Sequence, residues 1–363
     1  MHICQFQMDF PPRMAGGTTI HTYEMARAFK DLGHRVSVIT ASHPEAPAHE
    51  VLDGIEVHRV KRPYSFFSGL KSRDVCKDVD AVHGHGICTY GHFKWGPKVP
   101  TVVKMHNTWL SEMERYQELK GRAPSSMKLY TSMDRYCTKK ADKLICISQY
   151  MKRETTRYGI DEEKITVVHN GIRPEPFRNA KDRRGELGLE GTVIGYIGRM
   201  ERHKGVHLLL DAAKDLDASL LLVGGGGELE NLKKQAERLG VLKKCIFTGY
   251  LPHEQIPDHY ASSDIIVYPT NYEPLGNVVL ESMAAGKPLV ASNVGGIPEI
   301  FQEGMGFLMK PDGSDLKEKL EILVNDPGLR DRMGKVGAKA VEQYSWKAVA
   351  IATGEVLKKL ISE

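Results

Sequence analysis

The chain has 363 residues, 41% apolar and 26% charged, enough for two globular domains of ordinary size. No apolar run approaches the ~20 residues of a membrane span, and MHICQFQMDF has no basic n-region, so neither a spanning segment nor a signal peptide is expected. The net charge of +4 is uneven: residues 1–172 hold 25 Lys+Arg against 19 Asp+Glu, and residues 173–363 hold 25 against 27. The charges are dispersed and no recognition motif accompanies them, which argues against nucleic acid as a partner.

In chain order, MHICQFQM reads as a first strand, DFPPRMAGG as a loop, and Thr18 to Leu32 as an amphipathic helix closed by Gly33. RVSVITA, IEVHRVKR, AVHGHG, TVVKMHN, KLICIS and ITVVHNG are further short apolar strands, separated by helical or irregular segments. A stretch rich in Pro, Gly and charge, Gly171 to Gly191, reads as a linker. The pattern then restarts with VIGYIGRM, ASLLLVGGGG, KCIFTGY, DIIVYPT, PLVAS and GFLMK, with helices between them. Helical segments follow from Ser314 to about Tyr344, and a last one runs from Trp346 to Ile361. Alternating strands and helices predict parallel sheets covered on both faces. The expected class is α/β: two doubly wound, Rossmann-like domains facing each other across a cleft, with ligands outside the carboxyl ends of the strands. The six cysteines (Cys4, Cys76, Cys88, Cys137, Cys146, Cys245) form no CxxC; Cys4, Cys146 and Cys245 read as buried thiols in a reducing cytosol, so a cytoplasmic protein is expected.

The stretch around which the second half is organised is Tyr272–Gly286, YEPLGNVVLESMAAG, which follows DIIVYPT and opens a helix. Gly276 lets a ligand approach the backbone, and the N–H groups after it make an anion site at a helix start. Glu273 lies in the loop and Glu281 about a turn inside the helix, a pairing suited to holding a sugar joined to a nucleotide diphosphate. A glycosidase pair flanks its bond with carboxyls about 5–9 Å apart. Here both glutamates come from one strand–loop–helix unit, which suits holding better than attack. Arg199 and Lys204 follow VIGYIG, where Gly198 permits a sharp turn; two cations there match a departing diphosphate. A cation near a helix start is unfavourable without an anion, so Lys204 favours a binding role over a solvated surface one. Gly16 and Gly17, before Thr18, make a weaker anion site at the first helix. His83, His85, Cys88 and His106 invite comparison with zinc sites, but their spacing matches no standard finger, and no metal is expected. GGGGE at Gly224–Glu228 is a glycine run outside the first strand–helix turn, a weak dinucleotide signal.

PPRMAGG near the start, VHNGI at the domain junction, GRMERHKG, and above all EPLGNVVLESMAAGKPLVASNVGG occur in an order that resembles the family-4 retaining glycosyltransferases of the GT-B fold, the glycosyltransferase group 1 type. The resemblance covers nearly the whole chain. It implies an acceptor-side domain over 1–172, a linker over 173–191, a nucleotide-sugar domain over 192–343 and a helix over 344–363 that crosses back to the first domain. It implies transfer of a hexosyl-type sugar, with retention, from a nucleotide-diphosphate sugar to a lipid-linked, phosphorylated or saccharide acceptor. No cofactor or metal is implied, and the mechanism is front-face. Arg199 and Lys204 fall at the family's diphosphate pair, Glu273 at the group that holds the donor sugar, and Glu281 at the ribose ligand. Gly198, Leu275, Gly276, Asn277, Val278, Leu251 and Gly17 are the implied donor contacts; Gly16, Gly17 and Thr18 lie on the acceptor side. His106 falls at a histidine facing the donor sugar, but Asn107 stands where an Asp usually follows. Rivals on the same fold are an epimerase, which needs an acid/base pair in the cleft, and a phosphorylase, which needs a cofactor lysine; neither signal is present. The set of Arg199, Lys204, Glu273 and Glu281 argues against a non-catalytic binding subunit. KLYTSMDRYCTKK, Lys128–Lys140, places Leu129, Met133 and Tyr136 on one helical side with Arg135 and Lys139 away from it; together with the basic first half, this suggests peripheral contact with an anionic membrane surface.

Overall fold

The computed structural model describes residues 1–363 except Ala15 and the side chain of Leu119. The chain forms two compact units: Met1–Gly171 with Trp346–Glu363, and Ile172–Ser345.

The first unit contains strands β1 (His2–Phe6), β2 (Arg35–Ala41), β3 (His49–Leu52), β4 (Ile55–Val60), β5 (Ala81–His85), β6 (Thr101–Met105), β7 (Lys143–Cys146) and β8 (Ile165–Val167). They form one sheet in the order β3-β4-β2-β1-β5-β6-β7-β8, parallel except for β3, which pairs antiparallel with β4. Alternate residues of β1 serve opposite faces, as a period of two requires. Ile3 packs with Met25 and Phe29 of the helix Gly17–Asp31 and with Val349, Ala350 and Leu357 of the helix Trp346–Ser362. Cys4 and Phe6 pack on the other face with Ile39 and Tyr64. Each such fully buried apolar side chain contributes roughly 1.5–3 kcal/mol. The helix Trp346–Ser362 is thus part of the first unit's core, although the whole second unit precedes it in the chain. Gly171 allows the return: a Cβ there would lie 2.6 Å from the Trp346 ring.

The second unit contains β9 (Thr192–Ile197), β10 (Ala218–Val223), β11 (Cys245–Gly249), β12 (Ile265–Tyr268), β13 (Leu289–Ser292) and β14 (Gly306–Met309), all parallel in the order β11-β10-β9-β12-β13-β14. Counted from β9 this is 3-2-1-4-5-6, the doubly wound order whose ligands bind where the strand order reverses. That switch point lies between β9 and β12, which pair through Ile265↔Ile194 and Ile266↔Gly195. The stretch 173–191 carries two short helices, Glu175–Arg178 and Arg184–Leu187, and is tied to the second unit: Arg183 Nε donates to Asp258 at 2.7 Å and Arg184 pairs with Asp264 at 2.9 Å.

Candidate active site

The carboxyl ends of β9 and β12 deliver two loops to the switch point. After β9 the chain passes Gly198 and the exposed Arg199, then makes a tight turn over Arg202–Lys204. After β12 it runs from Pro269 to Gly276, which caps the helix Asn277–Ala284. The loops are bound to each other: Asn271 N–H donates to the His203 carbonyl at 2.9 Å, and Thr270 Oγ1 to the same oxygen at 3.1 Å. Gly205 has φ +71, and a Cβ on it would stand 1.9 Å from the Pro269 carbonyl oxygen. Only glycine lets the turn that carries Lys204 press so closely on the end of β12. Gly295, with φ +57, does the same on the other side, its Cβ position falling 1.9 Å from the Glu273 carbonyl oxygen. Gly296 N–H then donates to that oxygen at 3.0 Å, fixing the loop that bears Glu273.

These constraints bring Lys204 and Glu273 together. Lys204 Nζ donates to Glu273 Oε2 at 2.8 Å and to the Tyr268 hydroxyl at 2.8 Å, and Tyr268 donates to the same carboxylate. Lys204 is only 8% exposed, and its third N–H remains for an incoming anion. Burial pushes the Glu273 carboxyl up, but the Lys204 charge, the hydrogen bonds from Lys204 and Tyr268 and the Leu275 backbone together hold it below the usual carboxylate range. Glu281 goes the other way: burial raises its carboxyl, and the hydrogen bond from the Tyr260 hydroxyl, at 2.7 Å, and the His253 charge offset only part of that. One glutamate is therefore anchored as an anion while the other is easier to protonate, a division of environment that suits two separate roles.

Arg199 makes no ion pair among the described residues; its carbonyl accepts from the Tyr196 hydroxyl at 2.7 Å. A buried lysine and an exposed arginine thus reach the switch point from the same loop. Of the other expected donor contacts, Leu275 and Gly276 are buried, Gly198, Val278 and Leu251 are half-buried, and Asn277 is exposed at the start of the helix. The Gly249 carbonyl, next to Leu251, is held by Gly224 N–H at 3.0 Å. Tyr196, Tyr260 and Tyr268 are the site residues that the sequence reading missed. Tyr260 meets Glu281 from another helix, whereas Tyr196 and Tyr268 donate to groups three and five residues further along the chain, the Arg199 carbonyl and the Glu273 carboxylate. Only Tyr268, closing the apolar run DIIVY, carried a local signal.

His106, Gly16, Gly17 and Thr18 belong to the first unit. Gly16 is the N-cap of the helix Gly17–Asp31, with φ 88, and Gly17 and Thr18 are exposed in its first turn; Ala15, just before, lies outside the described residues. His106, just past β6, accepts or donates one hydrogen bond with His85, Nε2 to Nδ1, at 3.0 Å. The four residues weighed as a zinc set are not one cluster. His83 Nδ1 pairs with Gln5 at 3.2 Å and the Cys88 thiol donates to Gln7 at 3.2 Å. His21, from the first helix, joins His85 and His106 instead.

A family model for glycosyl transferases group 1 matches residues 177–340, and one for glycosyltransferase family 4 matches residues 15–176. An uncharacterised glycosyltransferase of Methanocaldococcus jannaschii is 29% identical over 390 aligned residues, covering 99% of this chain and 98% of its own. Among solved structures, the sucrose-phosphate synthase of Thermosynechococcus elongatus superposes with a TM-score of 0.82 at 21% identity, covering 99% of both chains. An Anabaena protein solved with UDP and glucose superposes with a TM-score of 0.78 at 20% identity, covering 99% of this chain and 100% of its own.

Proposed function

Taking the chain as what these relationships make it, a glycosyltransferase of the GT-B fold related to the group 1 and family 4 enzymes and acting on a nucleotide-diphosphate sugar, we propose that it transfers a hexosyl-type sugar with retention and without a catalytic metal. The observation that carries this reading is the Lys204–Glu273–Tyr268 group at the switch point, on the same loop as the exposed Arg199, which makes no ion pair among the described residues. Arg199 and the free N–H of Lys204 neutralise the diphosphate as it departs, with the N–H groups of the helix Asn277–Ala284 assisting. Glu273, kept ionised by Lys204, accepts from hydroxyls of the donor sugar; Glu281 accepts from the ribose. His106 is the histidine that the resemblance assigns to the donor sugar. In the front-face step the bond from the anomeric carbon to the phosphate oxygen breaks, the acceptor oxygen bonds to the same face, and the acceptor proton passes to the leaving phosphate. A glycan, phosphorylated or lipid-linked acceptor fits the basic first half.

UDP-glucose is the first donor to test, because the Anabaena structure holds UDP and glucose. Transfer or slow hydrolysis is followed by proton NMR in EDTA. An α-configured product formed at full rate is expected. A β-configured product overturns retention, and a rate that EDTA abolishes and Mg²⁺ restores overturns metal independence.

Peripheral membrane contact is proposed on the helix Ser125–Lys140. It buries Asp134, Cys137 and Thr138; of the expected apolar side, Leu129 is 59% exposed while Met133 and Tyr136 are half-buried, and Lys128, Tyr130, Lys139 and Lys140 are exposed. Each basic residue near an anionic leaflet contributes about 1 kcal/mol. Co-sedimentation with anionic vesicles at low salt, and none with neutral ones, is the expected result; equal binding to both removes the proposal. No helix among the described residues is long and apolar enough to cross a membrane.

A further inference from the structure

Beneath the helices Gly17–Asp31 and Trp346–Ser362, the apolar face of the first sheet gives way to a buried cluster of histidines. His21, on the first helix, is 1% exposed, and neither of its ring nitrogens has a hydrogen-bond partner. Leaving one buried polar atom unpaired costs about 1–3 kcal/mol, so two on one ring call for an occupant. His85, the last residue of β5, is 4% exposed; its Nδ1 meets His106 Nε2 at 3.0 Å and its Nε2 is unpartnered. The ring centroids of His21 lie 5.5 Å from His85 and 4.8 Å from His106. One nitrogen from each of the three rings falls within 4.8 Å of the other two.

We propose that His21, His85 and His106 form a binding site for a divalent transition metal of the zinc class. Zinc–nitrogen bonds of about 2.0–2.1 Å in a tetrahedral arrangement place ligand nitrogens about 3.3 Å apart. The His85–His106 pair already stands close to that separation, and His21 needs only a small ring movement. Imidazole is the ligand class that zinc, copper and nickel share, and only the neutral ring binds. Burial lowers the affinity of all three rings for protons, with the Lys104 charge adding to the effect, so they are neutral at pH 7. His106 is half-buried, which leaves an entry route and a fourth position for a water or another oxygen ligand. The site lies in the first unit and draws on none of the groups that hold the diphosphate. It takes up a nitrogen of His106, the residue that the resemblance assigns to the donor sugar.

Lys104 supplies an independent check. It is fully buried in β6, its Nζ has no partner, and its charge acts on all three histidines. Burial lowers the Lys104 ammonium from 10.5 to about 7, so near neutral pH it carries its charge part of the time; that charge opposes a dication, and Lys104→Met should strengthen metal binding while His21→Ala weakens it. The experiment titrates the EDTA-treated, desalted full chain with Co²⁺ and follows the visible d–d absorption of four-coordinate cobalt, then displaces it with Zn²⁺. One equivalent per chain is expected. His21→Ala and His106→Ala should each weaken binding at least tenfold, and Lys104→Met should tighten it at least threefold. The stacked pair His49 and His58, at 4.7 Å on β3 and β4, is the nearest rival source of signal, so a His49→Ala/His58→Ala double variant serves as background and should bind as well as the parent. Circular dichroism establishes that each variant is folded, and a Zn²⁺-induced rise in the parent's melting temperature reads binding without any substitution. The proposal is overturned by the absence of both the band and the thermal shift, by binding that survives His21→Ala and His106→Ala, or by binding that disappears in the His49/His58 variant.

Discussion

Lys204 is buried against Glu273 and Tyr268 while Arg199 stands in solvent, and the two cations therefore fail differently when removed. Arg199→Ala is expected to lower kcat on the order of 10²-fold while moving stability by less than about 0.5 kcal/mol. Lys204→Ala is expected to lower kcat similarly and also to destabilise by about 2–4 kcal/mol, because it leaves the Glu273 carboxylate enclosed without its cation. Steady-state kinetics and urea unfolding on the same preparations check this; equal stability losses would contradict the assignment of Lys204. Asp134 gives a pH prediction. It is 1% exposed and accepts from Trp109 N–H at 3.0 Å and from the Tyr158 hydroxyl at 2.8 Å. Burial nevertheless pushes its carboxyl from 3.8 up to about 6. An acid raised in the folded state holds its proton there after the unfolded chain has lost it. Its contribution to stability is therefore complete below pH 3.8 and disappears as pH rises through 6. That change is about 3 kcal/mol. Asp134→Asn removes it, so the variant should gain about 3 kcal/mol relative to the parent between pH 4 and pH 7, read from urea midpoints. A constant difference across that range would contradict it.

At the scale of elements, what could be read in advance was what is local in sequence. Apolar runs such as RVSVITA and PLVAS coincide with β2 and β13 because both faces of a parallel sheet are buried and most positions are apolar. β3 went unread because it is a short edge strand with an exposed Val51, and its residues alternate only weakly. A signal was present: Asp53–Gly54, both at positive φ, make the two-residue hairpin turn between Leu52 and Ile55. The candidate site divides in the same way. Arg199, Lys204, Glu273 and Glu281 sit in compact motifs, and their types and order showed their chemistry. Tyr260, which reaches Glu281 from another helix, and His21, which meets two histidines from other elements, depend on tertiary pairing that no spacing encodes, whereas Tyr268 meets Glu273 only five residues on. The NVGG tail of the long motif was legible as sequence but not as mechanism. Its Gly295 is where the chain from β13 presses on the Glu273 backbone. Gly295→Ala combines an unfavourable backbone region with that contact. We expect it to cost about 1–3 kcal/mol and to lower kcat/KM at least tenfold, with the circular dichroism spectrum retained. Unchanged kinetics would show that the loop tolerates displacement.

For the whole molecule, the two sheets share a doubly wound plan but differ in how the chain completes them. The second unit is continuous from Ile172 to Ser345, whereas the first takes its final core helix from Trp346–Ser362. Val349, Ala350 and Leu357 cover Met25 and Phe29, which otherwise lose an apolar neighbour. Deleting residues 346–363 should therefore leave 172–345 resistant to limited proteolysis while the first unit is digested; equal resistance of both units would contradict it. The same helix reverses the order in which a growing polypeptide can finish its parts. On the ribosome β1 and the helix Gly17–Asp31 emerge well before the helix Trp346–Ser362, so their core is closed only after the whole of the second unit has been made. A premature stop within the helix Trp346–Ser362 would release a chain whose second unit is complete and whose first unit still exposes its interior, the state in which such a chain is most open to chaperones, proteases and aggregation.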